Sequence, residues 1–315
     1  NGNGGTQAVT GVGFKPDFVW IKARNGGYYH ILQDSVRGAG SGKSIYSNGT
    51  EAEGTYVGDG YTDSFQSNGF TVAGGSSTAL QTNGSGINYV SWNWKAGGAA
   101  VQNNDGTIQG ANCLVSANQD AGFSITKYTG NGISGATFGH GLGQQVGLSI
   151  VKNVGSSTYW YVYSNLLPTN NNLYLNTSDS KQADGVMLGG NSTTVSISAS
   201  SAVNTNNGSY IAYNFTSIAG YSKIGSYTGT GATGNVQYVG FEPAFVMVKA
   251  TSTSEPWFIL DNKRDPNNPR DNRLMPDSNA AESNGSVHTM NFNSNNFTLN
   301  GTVGNGTNGN GQTYI

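Results

Sequence analysis

A single cysteine, Cys113, leaves no internal disulfide available, which excludes a secreted scaffold stapled by cross-links. Proline is also scarce, at 7 residues against 48 glycines. Charged residues make up 10% of the chain and the formal net charge is −2. Phosphate binding requires clustered Lys and Arg, but the densest basic stretch, Lys263 to Arg273, is interleaved with Asp261, Asp265 and Asp271. No nucleic-acid partner is therefore expected. No apolar run approaches the roughly 20 residues of a spanning helix, and no signal peptide is evident, so no membrane insertion is expected either. The chain has no initiator Met, opens in a Gly/Asn run and closes on Thr313-Tyr314-Ile315 in what reads as mid-strand. It is read as a window on a longer polypeptide.

What is abundant points to sheets. Gly, Asn, Ser and Thr supply turns and caps but make poor helix. Disordered chains lack aromatics and carry high net charge, whereas this one has 17 Tyr, 12 Phe and 5 Trp. A folded all-β protein is expected.

The chain repeats itself, and repetition governs every later reading. Gly11-Val12-Gly13-Phe14-Lys15-Pro16-Asp17-Phe18-Val19-Trp20-Ile21-Lys22 returns as Val239-Gly240-Phe241-Glu242-Pro243-Ala244-Phe245-Val246-Met247-Val248-Lys249. A looser form, without the Phe and Pro, runs from Gly141 to Lys152. Glycine turns precede each phrase, at Asn1–Gly4, Thr129–Gly132 and Thr228–Gly231. Aromatic clusters follow it, at Tyr29-His30-Ile31-Leu32, Trp160-Tyr161-Val162-Tyr163 and Trp257-Phe258-Ile259-Leu260. Each copy ends alike, on Tyr89 to Trp94, Tyr210 to Phe215, and Tyr314-Ile315.

Short β-branched and aromatic runs separated by Asn-Gly pairs predict six to eight strands per copy. Apolar residues on both faces of Phe18–Lys22 predict a central strand. Three tandem antiparallel β-sandwiches of jelly-roll type satisfy the pattern. The expected boundaries are 1–97 for the first sandwich, 98–121 for a linker, 122–219 for the second and 220–315 for the third, with the first and last truncated at the outer ends.

The phrases Gly13 to Lys22, His30 to Gly38 and Tyr89 to Ala96 resemble a repeated domain of bacteriophage virion structural proteins, notably marine and cyanobacterial ones. The resemblance covers essentially the whole chain. It implies a tail fibre or other virion appendage, extracellular on the particle, with a sandwich similar to the concanavalin-type lectins. It also implies other virion proteins, host surface polysaccharide and further copies of the chain as partners. It supplies no catalytic or ligand residues.

Chemistry is sparse. The three histidines are widely spaced and offer no zinc site with the lone cysteine; His140 reads as a turn residue and His30 as a packed or rim side chain. Glu51 and Glu53 are the only close Glu pair and could form a cluster with Asp59 and Asp63, but a solvated loop is the simpler reading than a glycosidase pair or calcium loop. Gly38 to Ser44 approaches a phosphate loop, but Arg37 stands where its first Gly belongs and nothing helical follows. No enzyme, cofactor or metal is expected. Sugar stacking on exposed rings is the open candidate, with Tyr28, Tyr29, Tyr159, Trp160 and Trp257 as the residues; Tyr29, Trp160 and Trp257 are read as one recurring position. Burial of these rings in the cores is the competing reading. Asp34 with Arg37 and Asp261 with Arg264 are expected to pin turns. A ligand-free self-associating decoration or filament subunit and a glycan depolymerase are the alternatives.

Overall fold

The computed structural model describes residues 1–76, 80–301 and 304–315. Its strands fall into three similar sets. The first holds β1 (Thr6–Thr10), β2 (Phe18–Ala23), β3 (Ile31–Asp34), β4 (Tyr61–Gln66), β5 (Gly69–Ala73) and β6 (Tyr89–Trp94). They form two antiparallel sheets, an inner β3-β2-β6 and an outer β1-β5-β4. The tight turn at Ser67-Asn68 joins β4 to β5, and Gly69 takes φ +145° as the strand resumes.

The segment expected as a linker is pleated. It contains β7 (Val101–Asn103) and β8 (Gly110–Asn118), which extend the second set's inner sheet because β8 pairs in register with β9 (Phe123–Thr129) from Cys113↔Tyr128 to Asn118↔Phe123. The second set continues with β10 (Ala136–Gly139), β11 (Leu148–Asn153), β12 (Tyr161–Ser164), β13 (Leu173–Tyr174), β14 (Met187–Gly190), β15 (Thr194–Ile197), the four-residue helix α1 (Ser201–Asn204) and β16 (Ser209–Phe215). Its inner sheet runs β13-β12-β11-β16-β9-β8-β7 and its outer sheet β10-β15-β14. The third set comprises β17 (Tyr227–Thr228), β18 (Asn235–Tyr238), β19 (Phe245–Val248), β20 (Phe258–Asp261), β21 (Met290–Asn293), β22 (Asn296–Leu299) and β23 (Thr313–Tyr314). Here β19-β20 and β17-β23 join through the Ala250↔Tyr314 bridge, opposite an outer sheet β18-β22-β21.

Corresponding strands thus occupy corresponding places, and the phrases ending in Lys22, Lys152 and Lys249 all lie on or directly after the inner strands β2, β11 and β19. The fold is all-β and sandwich-like, as the sequence predicts. Strand β2 is central and buried at every residue.

Side-chain alternation along a strand sends neighbours to opposite faces. In β2, Val19 and Ile21 face the outer sheet with Phe70 and Val72, while Phe18 and Trp20 face the other way. Strand β11 divides likewise between Val151 and Ile150, and β20 between Leu260 and Ile259. The second faces of all three inner sheets meet in one core containing Trp20, Leu32, Ile150, Val162, Ile211 and Ile259. The three sets are therefore joined through a common hydrophobic centre.

Candidate functional site: a three-way interlock

Around this centre the same contacts recur three times, always between one set and the next. Trp160 donates its indole N–H to the carbonyls of Tyr46 (2.8 Å) and Gly49 (3.1 Å) in the first set. Trp257 donates to the carbonyl of Tyr174 (2.8 Å) in the second. The corresponding residue of the first set is His30, whose Nε2 lies 3.0 Å from the Met275 carbonyl in the third. His30 Nδ1 accepts the Trp20 indole N–H at 2.9 Å, so the proton sits on Nε2 and His30 donates as the two tryptophans do. Burial, with Lys22 nearby, keeps this imidazole neutral by lowering its pKa well below the usual value. The second set grips the first, the third grips the second, and the first grips the third. The ring is closed.

Two further contacts follow the same cycle. Lys22 Nζ donates to the carbonyls of Ala23 (2.8 Å), Gly26 (3.2 Å) and Asn279 (3.3 Å). Lys152 Nζ reaches Thr50 (2.9 Å) and Thr158 (3.1 Å), and Lys249 Nζ reaches Ser178 (3.0 Å) and Glu255. Each ammonium is buried, and burial lowers each pKa to about 8. The backbone N–H of Glu53 donates to Val154 (3.0 Å), that of Lys181 to Thr251 (3.0 Å), and that of Glu282 to Arg24 (2.7 Å).

Charged clusters strengthen two of the three joints. Asp34 Oδ2 accepts from Arg37 Nε at 2.6 Å and from the Tyr213 hydroxyl of the second set at 2.7 Å. Asp261 Oδ2 accepts from Arg264 Nε at 2.6 Å and from the Trp92 indole of the first set at 3.0 Å. Each Arg also holds a carboxylate, Glu53 for Arg37 and Glu282 for Arg264. Burial opposes the charge on Asp261, but Arg264 outweighs it and lowers the pKa. Both Asp-Arg pairs pin their turns as expected, with Asp34 Oδ1 and Asp261 Oδ1 accepting the backbone N–H of the paired arginine. In the second set Ser164 and Leu167 take these places, and Leu167 packs on the shared core instead.

The proposed sugar-stacking residues are not brought together. Trp160 is 0% and Trp257 1% exposed, so neither offers a ring face. The burial arises because the faces of the inner sheets are covered by neighbouring sets. Tyr29 is not their counterpart; His30 is, one residue on, and the adjacent aromatics Tyr28 and Tyr29 obscured that register. Tyr28 and Tyr29 are half-buried, Tyr29 stacking on Tyr56 at 5.7 Å. Tyr159 is 46% exposed and stacks on Tyr174 at 4.8 Å.

The loop carrying Glu51 and Glu53 is likewise not a solvated excursion. Glu53 is tied to Arg37 and Lys43, Glu51 accepts from the Tyr56 hydroxyl at 3.2 Å, and Thr50 receives Lys152. Lys43, the phosphate-loop lysine, is thus engaged in an ion pair. His140, read from the sequence as a turn residue, is buried, with Nδ1 accepting from Leu142 N and Nε2 near the Asn191 carbonyl. Among the described residues no group of three or more His, Cys, Asp or Glu side chains is placed to hold a metal ion. The lysines are the functional residues that motif reasoning passed over; their threefold recurrence was the available signal.

The chain belongs to the family described as a domain of unknown function, DUF7483, which it matches over residues 1–315. No curated protein and no solved structure matches it.

Proposed function

We propose that this member of the DUF7483 family is a non-enzymatic structural module of a bacteriophage virion, a rigid head within a tail fibre or similar appendage that contacts the host surface glycan. The observation that carries the reading is the closed cycle of Trp160, Trp257 and His30, each donating a buried N–H to the neighbouring set. A ring locked in this way resists relative motion of its parts, which suits a load-bearing element on an extracellular particle. Glu53 and Glu282, two carboxylates a depolymerase could use, are paired with arginines instead. The resemblance of Gly13 to Lys22, His30 to Gly38 and Tyr89 to Ala96 to a repeated domain of phage structural proteins supports the same assignment.

Purified particles from the host that carries the gene provide the test. The reading expects the chain in their proteome at structural stoichiometry, and antibody labelling on an appendage. Its presence in infected-cell lysate but absence from particles would overturn the assignment. A ligand-free, self-associating subunit is the second reading. It is favoured by the outer edge strand β18, where Val236 and Tyr238 are 39% and 73% exposed; a monomer at high concentration in sedimentation would remove it.

A further inference from the structure

Two surface recesses open at equivalent corners of the first and second sets, the first of them walled in part by Ala117 to Asp120 of the second set. The larger, about 810 Å³, is lined by Lys15, Asp17, Ser35 and Lys95 with the backbone of Gly97 and Gly98. The smaller, about 240 Å³, is lined by Gln145, Gly147, Asn165 and Thr216. Lys15 and Gln145 each stand seven residues before the buried lysine of their set, and Asp17 and Gly147 each five before it. Ser35 and Asn165 each follow the last residue of β3 and β12, and Lys95 and Thr216 each follow the last residue of β6 and β16. The same corner of the fold is open twice, with different side chains around it.

The chemistry common to both selects the ligand. In the first recess Asp17 is buried, its oxygens accepting from Ser35 Oγ (2.8 Å) and the Ala96 N–H (2.9 Å). A carboxylate has about four acceptor positions, so capacity remains. Lys15 and Lys95 are exposed and form no ion pair among the described residues, and Asp120 also lines the wall. Two cations against two carboxylates give no net charge, which disfavours a simple anion. In the second recess every polar group is an amide or hydroxyl. A neutral recess rich in donors and acceptors matches a ligand whose groups do both, which is what a hydroxyl does. Each recess also has an apolar wall, Ala96, Ala99 and Ala117 in one and Leu166 and Ile224 in the other. Such a wall suits the C–H face of a sugar ring.

We propose that these two corners are paired binding sites for a neutral saccharide. The proposal rests on the host-glycan part of the function above and replaces buried rings with hydroxyl recognition.

The test is NMR shift mapping on the full chain, titrated with neutral hexose oligosaccharides and, in parallel, with uronate-containing ones. Neutral sugars should shift the amides of Gly97, Gly98 and Gly147, with a Kd of about 1 mM, a free energy near −4 kcal/mol. Ala99→Trp, at an exposed position, should abolish the shifts at Gly97 and Gly98 while sparing Gly147. Leu166→Trp should do the reverse. Lys15→Ala with Lys95→Ala should weaken the first site about tenfold. Shifts at neither recess, at one alone, or surviving both tryptophan variants would overturn the proposal, as would preference for uronates. Particle proteomics decides the virion assignment separately, so failure of sugar binding and failure of that assignment are read in different experiments.

Discussion

Lys22, Lys152 and Lys249 are fully buried, and each meets backbone carbonyls without an ion pair among the described residues. Burying a charge this way is costly, and the pKa falls to about 8 in response. In the unfolded chain the same groups titrate near 10.5. Between those values the unfolded state binds more protons, so stability must rise with pH there. Below about pH 8 both states are protonated and the full cost persists. Urea midpoints should therefore increase from pH 7.5 to pH 9, by roughly 1 kcal/mol per lysine. Lys249→Met should remove about a third of that slope. A midpoint that stays flat or falls would sink this account.

Asp277 offers a second test at the same scale. It accepts the Trp257 backbone N–H at 3.1 Å, and Asn48 and Asn176 do this for His30 and Trp160. Burial raises its pKa from 3.8 to about 6. The folded state then holds the proton longer, so stability present below about pH 4 is lost as pH rises through 6. Asp277→Asn restores the neutral acceptor found in the other two sets. It should raise stability by roughly 2–3 kcal/mol at pH 7 and change it far less near pH 4, as thermal unfolding at both pH values would report. The lysines recur plainly in the sequence, but each one's partner in the neighbouring set is a main-chain carbonyl 71 to 257 residues away, which no side-chain pattern announces.

At the level of elements, β6 and β16 are counterparts with different neighbours. Strand β16 is paired on both edges, from Ser209↔Thr129 to Phe215↔Phe123 on one and with β11 on the other. Strand β6 pairs with β2 alone among the described residues. The side chains record the difference. Asn214 bonds Ser124, Thr126 and Ser149, whereas Asn93 turns back on Ser91 and leaves a buried Oδ1 without a partner. Hydrogen exchange should find the outward amides of β6 roughly a hundredfold faster than those of β16; equal protection would contradict the unpaired edge. The central placement of β2 was readable because both its faces are apolar. Strands β7 and β8 were not, since Gly, Ala and Asn dominate residues 97–112 and Val101 is 66% exposed. They are strands because β9 offers a ladder, a property of the fold rather than of their composition.

For the molecule as a whole, repetition was legible and closure was not. Tandem copies joined by short segments read naturally as beads in a row, and a sequence carries no distance between bead one and bead three. The physical hint was that inner strands are apolar on both faces, while one sandwich can cover only one of them. The remaining face must be buried elsewhere, and here it is buried between sets, by Phe123, Ile150, Val162, Ile211 and Tyr213 of the second alone. Exposing those five side chains would forfeit about 1.5–3 kcal/mol each for the aliphatic and Phe positions, comparable with the entire stability of a small domain. Residues 98–219 expressed alone should therefore not persist as a folded monomer. Because the interlock is cyclic, three such fragments can rebuild it, Trp160 of each donating to the Tyr174 carbonyl of the next as Trp257 does in the intact chain. Sedimentation should show a trimer, and Trp160→Ala should convert it to aggregate or unfolded chain. A monomeric fragment with a cooperative melt and native aromatic dichroism would show instead that each sandwich stands alone and that the shared centre is incidental.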